Sequence, residues 1–132
     1  MAGTVIRFVT DFTHPPFGHR SGIFRIAYQL RRELPMSSPG IGELEELLAW
    51  FDGNLAKPDR FSTSRHPRAK ETAISWVKAS ADEHVRRLRR LALLVEEVAH
   101  LRVNELRTER PGYVVFEDDH QLVALPFADT PR

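Results

Sequence analysis

The stretch Ser80-Ala81-Asp82-Glu83-His84-Val85-Arg86-Arg87-Leu88-Arg89-Arg90-Leu91-Ala92-Leu93-Leu94-Val95-Glu96-Glu97-Val98-Ala99-His100 decides the fold. Val85, Leu88, Ala92, Val95 and Ala99 recur at alternating three- and four-residue steps. Leu91, Leu94 and Val98 widen the same stripe, so the segment is an amphipathic helix. Ser80 and Glu83 have the spacing of a capping box, and Asp82 with Arg86 and Glu83 with Arg87 stand where opposite charges meet across one helical turn. On either side the period shortens to two. Residues 72–78 read as a short strand through Ile74 and Trp76, and 101–106 as another through Leu101, Val103 and Leu106. A strand, a helix and a strand in that order call for a sheet with the helix packed across it. If the two strands are parallel, the crossover is right-handed.

Working outward, residues 4–10 alternate with Val5, Arg7 and Val9 on one side and Ile6 and Phe8 on the other, which marks an inner strand. Asp11-Phe12-Thr13-His14-Pro15-Pro16-Phe17-Gly18-His19-Arg20 reads as a loop, because its prolines lack amide donors and restrict their predecessors. From Ser21 as N-cap, Ile23, Ala27, Leu30 and Leu34 have helical spacing until Pro35 stops them. A second helix starts near Pro39 and carries Leu44, Leu47, Leu48, Phe51 and Leu55, with Gly53-Asn54 as its C-cap and Pro58 beyond. Residues 61–70 read as irregular. Arg110-Pro111-Gly112-Tyr113 has the chemistry of a type II turn, and strands over 113–117 and 121–126 close a hairpin across Asp118-Asp119-His120.

The order is β-α-α-β-α-β-β-β in one domain over 1–132. The expected class is α+β, a two-layer sandwich in which a mixed five-stranded sheet carries its helices on one face. A sheet face left uncovered would be a dimer surface.

The 132 residues, 42% of them apolar and 28% charged, suffice for one hydrophobic core. The absence of cysteine excludes disulfide scaffolds, thiolate metal sites and thiol nucleophiles. Apolar runs are short and the N-terminus has neither a signal core nor an Arg-rich presequence, so the expectation is a cytoplasmic protein without membrane contact. A net charge of +1 provides no global field toward nucleic acid. That total conceals a division: residues 57–90 hold 10 basic against 4 acidic side chains, and 91–132 hold 4 against 8. Arg65, Arg68 and Lys70, with Arg86, Arg87, Arg89 and Arg90 along one helix and Trp76 as a stacking face, would form a phosphate or nucleic-acid surface. The competing reading is a solvated, ion-paired helix face.

The first loop holds His14, His19 and Arg20 beside Ser21 and Gly22, where a guanidinium, a helix N-terminus and an imidazole acid or base would meet an anionic substrate. Against it stands a simpler role, in which Asp11 caps a turn and Phe12 and Phe17 pin the loop. Neither phosphate-loop nor dinucleotide-fingerprint spacing occurs, so no cofactor is expected, and the six histidines make no metal-ligand pattern. His84, in the first turn of the long helix, shares a corner with Trp76 and Lys78.

Ile74-Ser75-Trp76-Val77-Lys78 with Ala81-Asp82-Glu83-His84-Val85, and Arg110-Pro111-Gly112-Tyr113-Val114-Val115-Phe116-Glu117-Asp118 with Gln121-Leu122-Val123-Ala124-Leu125-Pro126-Phe127, resemble a group of small bacterial proteins of uncharacterised function. The likeness extends to Gly22-Ile23-Phe24, Ala27-Tyr28-Gln29-Leu30-Arg31 and residues 47–55. It implies a self-contained domain and carries over no catalytic residues. The leading functional expectation is a non-enzymatic interaction or regulatory module acting through a protein partner or as a homodimer. Nucleic-acid or phosphate binding through the basic 65–90 region comes second, and a small enzyme using His14, His19 and Arg20 third.

Overall fold

The computed structural model describes residues 3–14, 19–57 and 72–132, the side chains of His14 and His19 excepted. Its elements are β1 (Val5–His14), β2 (His19–Gly22), α1 (Ile23–Glu33), α2 (Ile41–Asn54), β3 (Ile74–Lys78), α3 (Asp82–Ala99), β4 (Val103–Thr108), β5 (Tyr113–Glu117) and β6 (Gln121–Leu125). The class is α+β, with helices packed against one open sheet.

The sheet has six strands and every adjacent pair is antiparallel, which corrects the expected mixed, five-stranded arrangement. The additional strand is β2, in the segment that the prolines mark as a loop. His19-Arg20-Ser21-Gly22 has little intrinsic strand preference and becomes a strand through pairing with β1, at Val9↔Gly22, Thr13↔Arg20 and His14↔His19. The expectation of parallel neighbours fails because β1 lies between β3 and β4. Both run antiparallel to β1, so they are parallel to each other, and α3 crosses over the strand that separates them.

Side chains sort onto two sheet faces. Ile6, Phe8 and Val77 join Ile23 and Ala27 of α1, Leu44, Leu48 and Phe51 of α2, and Val85, Leu88, Leu91 and Val95 of α3 in the main core. Leu48 and Leu91 are fully buried, each worth about 1.5–3 kcal/mol relative to exposure. Val5, Ile74, Trp76, Leu122 and Ala124 form a smaller cluster on the face that carries no helix. None of the five is more than 4% exposed. Beyond β6, Thr130 Oγ1 donates to Arg110 O, and Arg20 Nε of β2 donates to Arg132 O.

The helix ends differ from the sequence reading. The N-caps are Gly22 for α1 and Ala81 for α3, neither with a side-chain cap, because Ser21 lies in β2 and Glu83 turns to arginines one turn along. Gly53 and Asn54 stay inside α2, and Leu55 caps it. Gly40 has φ +85° at the start of α2, where a Cβ would approach Val98 and Leu94 of α3 to 3.0 and 3.1 Å. Among the described residues no helix is long and apolar enough to cross a membrane.

Gly112 has φ +126°, and a Cβ there would stand 1.9 Å from Leu125 O, the residue paired with Tyr113 in the terminal hairpin. Gly112→Ala is therefore expected to cost at least about 2 kcal/mol, measured as a lower urea midpoint; an unchanged midpoint would show that the hairpin entry is not constrained in this way.

Candidate functional site: a cleft at the divided edge of the first strand

Strand β1 gives one edge to β4 over residues 5–10 and divides the other. On that second edge β3 pairs with Val5 and Ile6, while β2 begins at Val9. Arg7 and Phe8 stand between, and among the described residues no strand pairs with that edge at either position. A cavity of about 450 Å³ opens beside them, bounded by residues from both sheet faces. Phe8, Phe24, Phe51 and Leu55 give it an apolar wall, and Arg7, Trp76 and Arg20 contribute nitrogen donors. Phe24 and Phe51 meet edge to face at 5.0 Å, which fixes that wall.

Arg7 alternates with Val5 and Val9 and so projects toward the helix-free face. The β1–β3 register, Val5↔Lys78 and Ile6↔Val77, ends one residue short of Arg7 on β1 and of Trp76 on β3. Arg7 Nη2 donates to Arg20 O at 2.7 Å. Arg7 Nη1 is buried and meets no acceptor among the described residues, and the same is true of Trp76 Nε1. Burial first, and then the nearby Arg20 charge, push the Arg7 guanidinium down to about 10, which leaves it cationic at neutral pH. A partly buried cation beside a second cation is unfavourable unless something supplies negative charge or acceptor oxygens.

Elsewhere around the cleft, polar groups are already engaged. Tyr28 OH donates to Asp52 Oδ1 at 2.6 Å, and Lys57 Nζ lies 3.8 Å from the same oxygen. Burial and then the Asp52 hydrogen bond push the Tyr28 hydroxyl up to about 12, so it remains a donor. Gln121 Nε2 donates to Ala56 O, tying β6 to the end of α2. The Asp118 carboxylate accepts from the backbone N–H groups of His120 and Gln121 at 2.8 and 2.9 Å, which shapes the turn preceding Gln121. Burial alone would raise the Asp118 carboxyl, but these donated bonds outweigh it and hold it below its ordinary value.

Of the residues expected to act in catalysis, Arg20 lies at the cleft. The side chains of His14 and His19, and all of Arg65, Arg68 and Lys70, lie outside the described residues. Trp76 is 1% exposed, which corrects its expected role as an open stacking face. The helix arginines are ion-paired: Arg86 and Arg87 with Glu83, Arg89 with Glu105 at 3.3 Å, and Arg90 with Glu43. Arg86 thus pairs with Glu83 rather than Asp82, and Arg87 also lies 4.4 Å over the Trp50 ring. The hydrogen bond from Arg90 holds the Glu43 carboxyl below its usual range. His84 is buried, with Nε2 2.7 Å from Asn54 O and its ring stacked on His120 at 4.2 Å. Among the described residues no three His, Asp or Glu side chains converge on a common point.

Arg7 was not among the expected site residues. Its signal was present in the alternation, since a guanidinium between Val5 and Val9 on an inner strand needs an explanation that an exposed arginine does not.

Compared with models of protein families, with curated proteins and with solved structures, the chain has no match in any of the three.

Because the folded-state pKa of Asp118 is depressed, its contribution to stability is fully present above the unfolded-state value and is lost as pH falls through the folded-state value. Asp118→Asn is expected to flatten the acid limb of the stability profile, seen in urea titrations below the usual carboxylate range. An acid limb identical to that of the parent chain would show that the turn is not held by this carboxylate.

Proposed function

We propose that the chain is a non-enzymatic binding module, of the interaction or regulatory kind, that takes a small amphipathic molecule into the cleft beside Arg7 and Phe8. The observation that carries this reading is a cleft with an apolar wall that is also lined by two residues whose buried nitrogen donors lack acceptors among the described residues. A ligand pocket combines a largely apolar lining with a few polar groups that orient its occupant, and this cleft has that composition. Arg7 and Tyr28 keep their protons at neutral pH and so can act there as hydrogen-bond donors.

The reading does not depend on the arginines of α3. Those side chains are already paired with acids from α2, α3 and β4.

Phenylbutanol, an uncharged molecule with an aromatic body, tests the reading. In heteronuclear NMR titrations it is expected to shift the amide resonances of Phe8, Ser21 and Phe24 with a dissociation constant of about 1 mM or tighter, and Phe24→Ala is expected to weaken it. Saturating phenylbutanol that leaves the cleft amides unmoved would remove the proposal.

A further inference from the structure

The ligand's polar end can be assigned from the two buried donors. We infer that the cleft binds an organic carboxylate whose oxygens are held by Arg7 Nη1 and Trp76 Nε1. This assignment rests on the binding reading above and goes further by naming the chemistry of the occupant and the atoms that select it.

Three independent features converge. Arg7 and Trp76 are the first residues past the last β1–β3 pair, Ile6↔Val77, on their two strands, and both line the cleft. Each carries a buried N–H group without an acceptor among the described residues, Nη1 on Arg7 and Nε1 on Trp76. Native interiors rarely leave such groups unsatisfied, and two of them on residues that line one cavity are what is expected where a ligand supplies the acceptor.

The charge of the site specifies the acceptor further. Arg7 has no carboxylate partner among the described residues, and its one protein hydrogen bond is to the neutral Arg20 carbonyl. Of the other charged residues at the cleft, Lys57 is paired with Asp52 at 3.8 Å and Tyr28 donates to the same carboxylate, while Arg20 Nε donates to Arg132 O. Arg7 is thus the cation there with no carboxylate partner among the described residues. An anion would therefore neutralise a partly buried cation, whereas a neutral acceptor would leave that cost in place. A carboxylate has two oxygens in one plane, one for each donor, and hydrogen bonds to ionised groups are shorter and stronger than neutral ones. The apolar wall of Phe8, Phe24, Phe51 and Leu55 gives the remainder of the molecule a dry surface, which free inorganic phosphate would not use.

The test compares phenylbutyrate, phenylbutanol and inorganic phosphate on the same protein. Phenylbutyrate is expected to bind at least about tenfold tighter than phenylbutanol, and to move the indole N–H resonance of Trp76 while leaving that of Trp50 in place. Trp76→Phe keeps an aromatic ring but removes the donor, and is expected to lower phenylbutyrate affinity about tenfold and phenylbutanol affinity by less, so that the preference for the acid narrows. Arg7→Met is expected to abolish the preference for the acid with little change in the melting temperature of the free protein, because loss of its hydrogen bond to Arg20 O is offset by relief of its repulsion with the Arg20 charge. A structural role for Arg7 would instead lower that temperature. Should Arg7→Met fail to fold, the Trp76→Phe titration decides alone. Equal affinity for acid and alcohol would overturn the carboxylate assignment while leaving the cleft a binding site, and loss of both would overturn the broader reading as well. Inorganic phosphate binding as tightly as phenylbutyrate would overturn the assignment of a carboxylate on an apolar body.

Discussion

A β-strand has two backbone edges, and the way β1 allots them organises the molecule. One edge is committed to β4 along residues 5–10. The other serves two shorter partners, β3 at Val5 and Ile6 and β2 from Val9 onward. The register shift between Val9 and Thr13 bends β1 as it passes β2. Gly22 then ends β2 and also caps α1, so the chain leaves the sheet directly into the first helix. The same division leaves Arg7 and Phe8 facing a cavity instead of a strand. The cleft is thus a consequence of strand pairing and needs no dedicated loop.

This arrangement also makes a charged side chain tolerable in the middle of a sheet. The larger core, fed by all three helices and by Ile6, Phe8 and Val77, lies on the face opposite Arg7. An unsatisfied buried donor costs about 1–3 kcal/mol. A single well-buried leucine contributes about 1.5–3 kcal/mol in the other direction, and Leu44, Leu48, Leu91 and Leu94 are all at most 2% exposed. The helix-covered face can therefore sustain two unsatisfied donors on the other. Such a cost is what one expects where a binding site is kept ready in the absence of its ligand.

The helices and the terminal hairpin were legible because their signals are local. The stripe from Val85 to Ala99 and the leucines of 44–48 need only periodicity, and the β5–β6 pairing needs only a short turn between apolar runs. β2 was illegible for the opposite reason, since four residues of poor strand propensity are recruited by a partner already in place. The direction of neighbouring strands was likewise hidden. A β-α-β sequence looks the same whether its strands touch or have another strand between them, and here β1 separates them. The capping box at Ser80 and Glu83 matched a motif that the structure does not use, because Glu83 has two arginines within reach. At the site, Arg20 and Trp76 were singled out by residue type, but their surroundings depend on strand register, which spacing alone does not give.

The charge pattern changes meaning on folding in a similar way. Along the chain, the basic excess of residues 57–90 suggests a surface awaiting an anionic partner. In three dimensions the arginines of α3 reach acids distant in sequence, Glu43 on α2 and Glu105 on β4, and the described part of that excess is locally balanced. Glu105 is shared between Arg89 and Arg107, whose hydrogen bonds overcome the upward effect of burial and lower its carboxyl pKa. Arg7 adds a single charge to a segment that is nearly neutral by count. It is nevertheless, among the described residues, the guanidinium with a buried, unsatisfied nitrogen and a second cation close by. Counting charges along a sequence measures where ions are numerous, whereas a binding site depends on where one of them is denied a partner.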